Sequence, residues 1–126
     1  MNRQERRSQK NNFSLSLANQ NLLVQAINFH TKKDYIAAER IYKKLLINNS
    51  KNYDVVRHLG ILHQDLGQFE VAFNYFMKAL KINPDGFEVL NNIGVIHQTN
   101  KNYRMALNCF NRSIAIKADY VPTINN

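Results

Sequence analysis

The chain has 126 residues, enough for one domain, and 44% of them are hydrophobic, which allows a packed core. No apolar run approaches the roughly 18 residues needed to cross a bilayer. The basic N-terminus lacks the apolar stretch of a secretory signal, and the single cysteine, Cys109, excludes an internal disulfide and points to a reducing, cytoplasmic setting.

The net charge is +8, unevenly spread: +3 over residues 1–18, +4 over 19–52, −1 over 53–86 and +2 over 87–120. Residues 1–18 carry Arg3, Arg6, Arg7 and Lys10 against Glu5. Met1–Asn12 has too little apolar surface to offset the entropy of ordering. A flexible basic leader is expected over residues 1–18, solubilised by its charge; nucleic-acid binding by it is disfavoured.

From Asn19 the apolar residues recur at helical spacing. The pattern predicts helices over 19–31, 35–47, 54–66, 69–82, 88–99 and 103–116. Lys32-Lys33-Asp34 and Asn48-Asn49-Ser50 separate the first three. Gly67 stands where a helix ends in a left-handed residue. Asn83-Pro84-Asp85-Gly86 reads as a turn, with Pro84 stopping the helix and Gly86 supplying a positive φ.

Two of these segments are near-copies. LGILHQDLGQFEVAFNYFMKAL starts at Leu59, and IGVIHQTNKNYRMALNCFNRSI starts at Ile93, 34 residues later. Gly60 pairs with Gly94, His63 with His97, Phe69 with Tyr103, Ala72 with Ala106 and Phe76 with Phe110. A fixed period of this size means stacked helix pairs. A mid-helix glycine costs ~1 kcal/mol against alanine, so Gly60 and Gly94 mark close helix contacts. Ala72 and Ala106 are the matching small residues, with Phe76 and Phe110 beside them. One period earlier, residues 19–52 form a more degenerate copy with Ala26 in the glycine slot.

This phrasing resembles the tetratricopeptide repeat. Leu59, Gly60, Ala72, Phe76, Ala79 and Pro84 carry the likeness, then Ile93, Gly94, Ala106 and Phe110. The resemblance implies an all-α solenoid of three helix-turn-helix repeats, a right-handed superhelix, with repeats at 19–52, 53–86 and 87–120. AAERIYKKLL with YDVVRHLGILHQDLG is also similar to the amino-terminal repeats of bacterial glycosyltransferase-linked members. Residues 121–126 match the start of a fourth repeat, incomplete and uncapped. An amino-terminal piece of a longer protein, a split gene, or an open end covered by a partner or a second copy would each account for it.

In that family the first helices line a concave groove. The implied positions are Gln20, Leu23, Val24, Ile27, His30 and Thr31 in the first repeat. Asp54, Arg57, His58, Ile61, Gln64 and Asp65 follow in the second, and Glu88, Asn91, Asn92, Val95, Gln98 and Thr99 in the third. Arg57 faces Asp54, Asp65 and Glu88, so the groove does not read as a phosphate channel. The family's carboxylate clamp is missing, because Leu23, Ile27, His58, Glu88 and Asn92 occupy its places. Asn92, and Asn126 in the next register, offer a donor and an acceptor that suit a peptide backbone. Arg57, His58, Ile61, Gln64, Asn91, Asn92, Val95 and Gln98 are the expected partner-binding residues.

The four histidines lack metal-ligand spacing, and His63 with His97 read as packing residues. Cys109 reads as a half-buried thiol without an activating base. No cofactor, metal or catalytic site is expected. The function expected is non-catalytic binding of a protein or peptide; the alternative is the substrate-presenting front of a larger glycosyltransferase.

Overall fold

The structure is a computed structural model, and it describes residues 1–120. Those residues contain six helices and no strand. They are α1 (Arg3–Thr31), α2 (Tyr35–Asn48), α3 (Tyr53–Asp65), α4 (Phe69–Ile82), α5 (Phe87–Thr99) and α6 (Tyr103–Tyr120). The expected fourth-repeat start at 121–126, with Asn126, lies outside the described residues. Two compact units result: Met1–Ser50, holding α1 and α2, and a second from Lys51 onward, holding α3 to α6.

In the first unit α1 packs on α2. Ala26, Ala38 and Tyr42 are fully buried, with Leu45 beside them. The His30 ring meets Tyr35 and Tyr42 edge-on, at 5.7 and 6.4 Å between centroids. The leader expected to be flexible is helical instead. Asn2 caps α1 by accepting from the Glu5 amide at 2.8 Å, and Glu5 returns the bond to the Asn2 amide at 3.2 Å. This reciprocal pair satisfies two amides that a helix start otherwise leaves open. Local capping, not burial, starts this helix: every residue from Met1 to Ala18 is exposed.

In the second unit α3 packs on α4, α4 on α5 and α5 on α6. Val55, Val56, Leu59, Leu62, Ala72, Phe76, Ala79 and Val89 are fully buried. A Cβ on Gly60 would lie 2.5 Å from the Phe76 ring, and one on Gly94 2.6 Å from the Phe110 ring. The glycines therefore accommodate an aromatic ring, one helical turn beyond the small residues Ala72 and Ala106.

The turn inside each pair repeats as faithfully as the helices. Lys33, Gly67 and Lys101, each 34 residues apart, take left-handed φ values of 66°, 76° and 65°. In each, the following residue donates to a carbonyl five positions back: Asp34 to Phe29, Gln68 to His63 and Asn102 to His97, all at 2.8 Å. Gly86 departs from its expected role. Its φ is −71°, open to any residue. Its missing side chain serves a close approach, because a Cβ there would strike the Tyr53 ring and hydroxyl. α6 runs four residues past its expected end, to Tyr120.

Candidate functional site

The second unit carries a hollow of about 430 Å³. Arg57 of α3 lines it, with Phe87, Glu88, Asn91 and Asn92 of α5 and Ser113, Ile114 and Lys117 of α6. The first turns of α5 and the last turns of α6 meet here because the two helices run antiparallel across a short turn. Ser113 stands where the second repeat has Ala79, and it is buried. Its hydroxyl donates to the Phe87 carbonyl at 2.7 Å, tying the two helices together beneath the hollow.

Two polar atoms at this place are buried without a hydrogen-bond partner, Arg57 Nε and Asn92 Oδ1. The first is a donor and the second an acceptor. Glu88 is engaged elsewhere: its Oε2 accepts from the Tyr53 hydroxyl at 2.8 Å. Burial, then the bond to Glu88 and the charge of that carboxylate, push the Tyr53 phenol well above its ordinary range, while Arg57 works the other way. Lys117 Nζ lies 6.0 Å from the centroid of the Phe87 ring. The hollow thus offers one cation with a vacant donor, one amide with a vacant acceptor, a second cation and an apolar wall at Ile114. The vacant donor and the vacant acceptor are complementary in kind to the two poles of a peptide amide.

Of the eight expected residues, Arg57, Asn91 and Asn92 come together at the hollow. His58, Ile61, Gln64 and Val95 are half-buried and Gln98 is exposed, and none of these five lines it. Ser113, Ile114 and Lys117 were missed because the groove was assigned to first helices alone. The readable signal was Ser113, a polar residue at a small-residue position of the period.

His63 stacks flat on Tyr75, 5.5 Å between centroids, and its Nδ1 lies 2.6 Å from Gln68 Oε1. His97 meets Phe73 edge-on at 5.9 Å. The register explains the change of partner: Tyr75 has Cys109 as its counterpart. Burial raises the Cys109 thiol pKa, with Arg112 opposing, which keeps the sulfur protonated. Among the described residues no group of His, Cys, Asp or Glu could hold a metal ion. No helix of the described residues is long and apolar enough to cross a membrane.

Residues 53–119 match the family model described as the tetratricopeptide repeat. This chain belongs to the tetratricopeptide repeat family. The match starts at Tyr53, so the more degenerate copy at 19–52 lies outside it. Among solved structures, the fold is similar to a crystal structure of MamA, with a TM-score of 0.73 at 15% identity over 81% of this chain and 60% of that one. MamA MSR-1 gives 0.70 at 21% identity, over 82% and 59%; MamA AMB-1 gives 0.69 at 22%, over 80% and 60%. The chain spans about 60% of the length of these structures. At such identities the likeness is one of fold. No curated protein matches the chain. The glycosyltransferase-linked resemblance is not shown by these comparisons.

Proposed function

We propose that this tetratricopeptide repeat chain is a non-catalytic interaction module that holds a segment of a partner protein against the α5–α6 hollow. The observation that supports the reading most is the vacant donor–acceptor pair of Arg57 Nε and Asn92 Oδ1. A buried polar group left unpaired costs ~1–3 kcal/mol, and an extended peptide segment would supply both complements, a carbonyl that accepts from Arg57 and an amide that donates to Asn92. His58, Ile61, Gln64, Val95 and Gln98 would continue the contact along α3 and α5.

Selection of a peptide-display library on the immobilised chain tests this. The selected peptides should bind Arg57→Ala/Asn92→Ala about tenfold more weakly, with the melting temperature unchanged. Binding that survives the double substitution sinks the reading, as does an equal loss of binding and folding. The alternative, a substrate-presenting part of a larger glycosyltransferase, would use the same groove and rests on sequence phrasing alone.

A second reading concerns α6. Leu107 and Ile114 are 58% and 65% exposed. Their counterparts one repeat earlier, Phe73 and Leu80, are half-buried, and Phe73 packs on His97 of α5. Self-association through this face would cover them. Sedimentation should then show a dimer that Leu107→Lys/Ile114→Lys dissociates; a monomer at every concentration rejects it.

A further inference from the structure

α1 is twice as long as the helix that packs on it. Its 29 residues span about 43 Å, and the 14 of α2 about 21 Å. The side facing α2 centres on buried Ala26. On the opposite side, Arg3, Arg6, Lys10, Phe13, Leu17 and Val24, with Gln20 between the last two, follow one another at alternating steps of three and four residues. That is the seam spacing of a helix that pairs with another helix. Phe13, Leu17 and Val24 are 71%, 48% and 56% exposed. The charged and apolar halves are continuous, since Arg6, Lys10 and Phe13 line one shallow depression of about 410 Å³.

From this geometry we infer that the seam docks an amphipathic helix of a partner protein, acidic where it meets Arg3–Lys10 and apolar where it meets Phe13–Val24. Charge selects the occupant. Glu5 is the one acidic residue in α1, and it is held by the Asn2 amide. The cations sit at the helix N-terminus, where the macrodipole disfavours them, so an external anion gains doubly by approaching. A second copy fails this requirement. Parallel pairing would set arginine on arginine, and antiparallel pairing would set Lys10 on Leu17 with no carboxylate opposite. A nucleic acid would engage the cations and leave Phe13, Leu17 and Val24 in water. A membrane-surface helix carries its cations and its apolar residues on opposing faces, whereas here they share one.

Synthetic helical probes of about 25 residues test the pairing by fluorescence anisotropy on the full chain. One carries leucine along the seam with glutamate in one half; its twin has lysine for glutamate; each is made with the charged half at either end. The glutamate probe should bind at least about tenfold tighter than its twin. Arg3→Glu/Arg6→Glu/Lys10→Glu should invert that preference, and Phe13→Ser/Leu17→Ser should abolish binding of both. All these residues are exposed, so melting temperatures should hold. Equal binding of the two probes overturns the inference, as does a preference that charge reversal leaves unchanged. A single-stranded oligonucleotide bound equally by the wild type and Phe13→Ser/Leu17→Ser, without probe preference, assigns the face to nucleic acid instead. A concentration-dependent dimer abolished by Phe13→Ser/Leu17→Ser assigns it to a second copy.

Discussion

The Tyr53 hydroxyl donates to Glu88 Oε2 at 2.8 Å, joining the first residue of α3 to the second residue of α5. The bond runs from one repeat to the next and passes beneath Gly86, whose bare backbone leaves room for the ring. Replacing Tyr53 with Phe keeps the ring and removes the bond. A partly buried hydrogen bond to a charged group is worth ~1.5–3 kcal/mol, less here because Glu88 can reach water once released. Urea unfolding of Tyr53→Phe should show a loss of ~1 kcal/mol. No change in the midpoint would mean the bond carries no net stability.

The same bond predicts behaviour in alkali. The folded Tyr53 holds its proton more tightly than an unfolded tyrosine, which titrates near 10. Below that pH both states are protonated and the contribution is complete. As pH rises past about 10 the unfolded chain loses its proton first, so unfolding is favoured. Stability should fall above pH 10 more steeply in the wild type than in Tyr53→Phe. Parallel slopes would show that Tyr53 is not responsible.

The three left-handed turn residues give a cleaner comparison. Gly67 has no atom within 4 Å of where a Cβ would stand, so Gly67→Ala adds backbone strain without a steric clash. The expected cost is ~1 kcal/mol. Lys33→Gly and Lys101→Gly should gain up to ~1 kcal/mol, because lysine already bears that strain at φ 66° and 65°. Thermal melts of the three variants check both signs at once.

Much of this was legible in advance, and the reason is local. Gly67 and the paired phrases at Leu59 and Ile93 encode turn and packing at one spacing, so helix bounds agree to within about a turn everywhere except the start of α1. Three failures have physical causes. The opening eighteen residues bury nothing, and composition therefore suggested a tail. The Asn2–Glu5 capping pair, readable as a four-residue signature, outweighed that. The hollow needed α6, whose Ser113, Ile114 and Lys117 approach α5 only when antiparallel packing is known. Gly86 was assigned a backbone role that a turn motif suggests, while the Tyr53 ring that excludes a side chain lies 33 residues away in sequence.

Gly60 and Gly94 share a motif but differ in surroundings. Phe76 is fully buried, so a methyl at Gly60 has nowhere to displace the ring. Overpacking of this kind costs ~1–3 kcal/mol. Phe110 is only half-buried, and its ring can swing outward. Gly94→Ala should therefore cost markedly less than Gly60→Ala. The double change Gly60→Ala/Phe76→Leu should be less damaging than the sum of its parts. Equal losses at the two glycines would mean that the rings do not govern the contact.

The vacant pair at the hollow makes a prediction of opposite sign. Asn92 Oδ1 is buried without a hydrogen-bond partner, so the folded chain carries the cost of its desolvation. Asn92→Leu removes the unsatisfied acceptor and keeps the volume. It should leave the melting temperature unchanged or raise it, while abolishing binding of peptides selected on the wild type. Asn92→Asp keeps the acceptor and loses the amide donor, so it should retain part of the binding. A clear loss of stability in Asn92→Leu would instead assign the carboxamide to holding the fold, and the hollow would lose its claim to be a receptor.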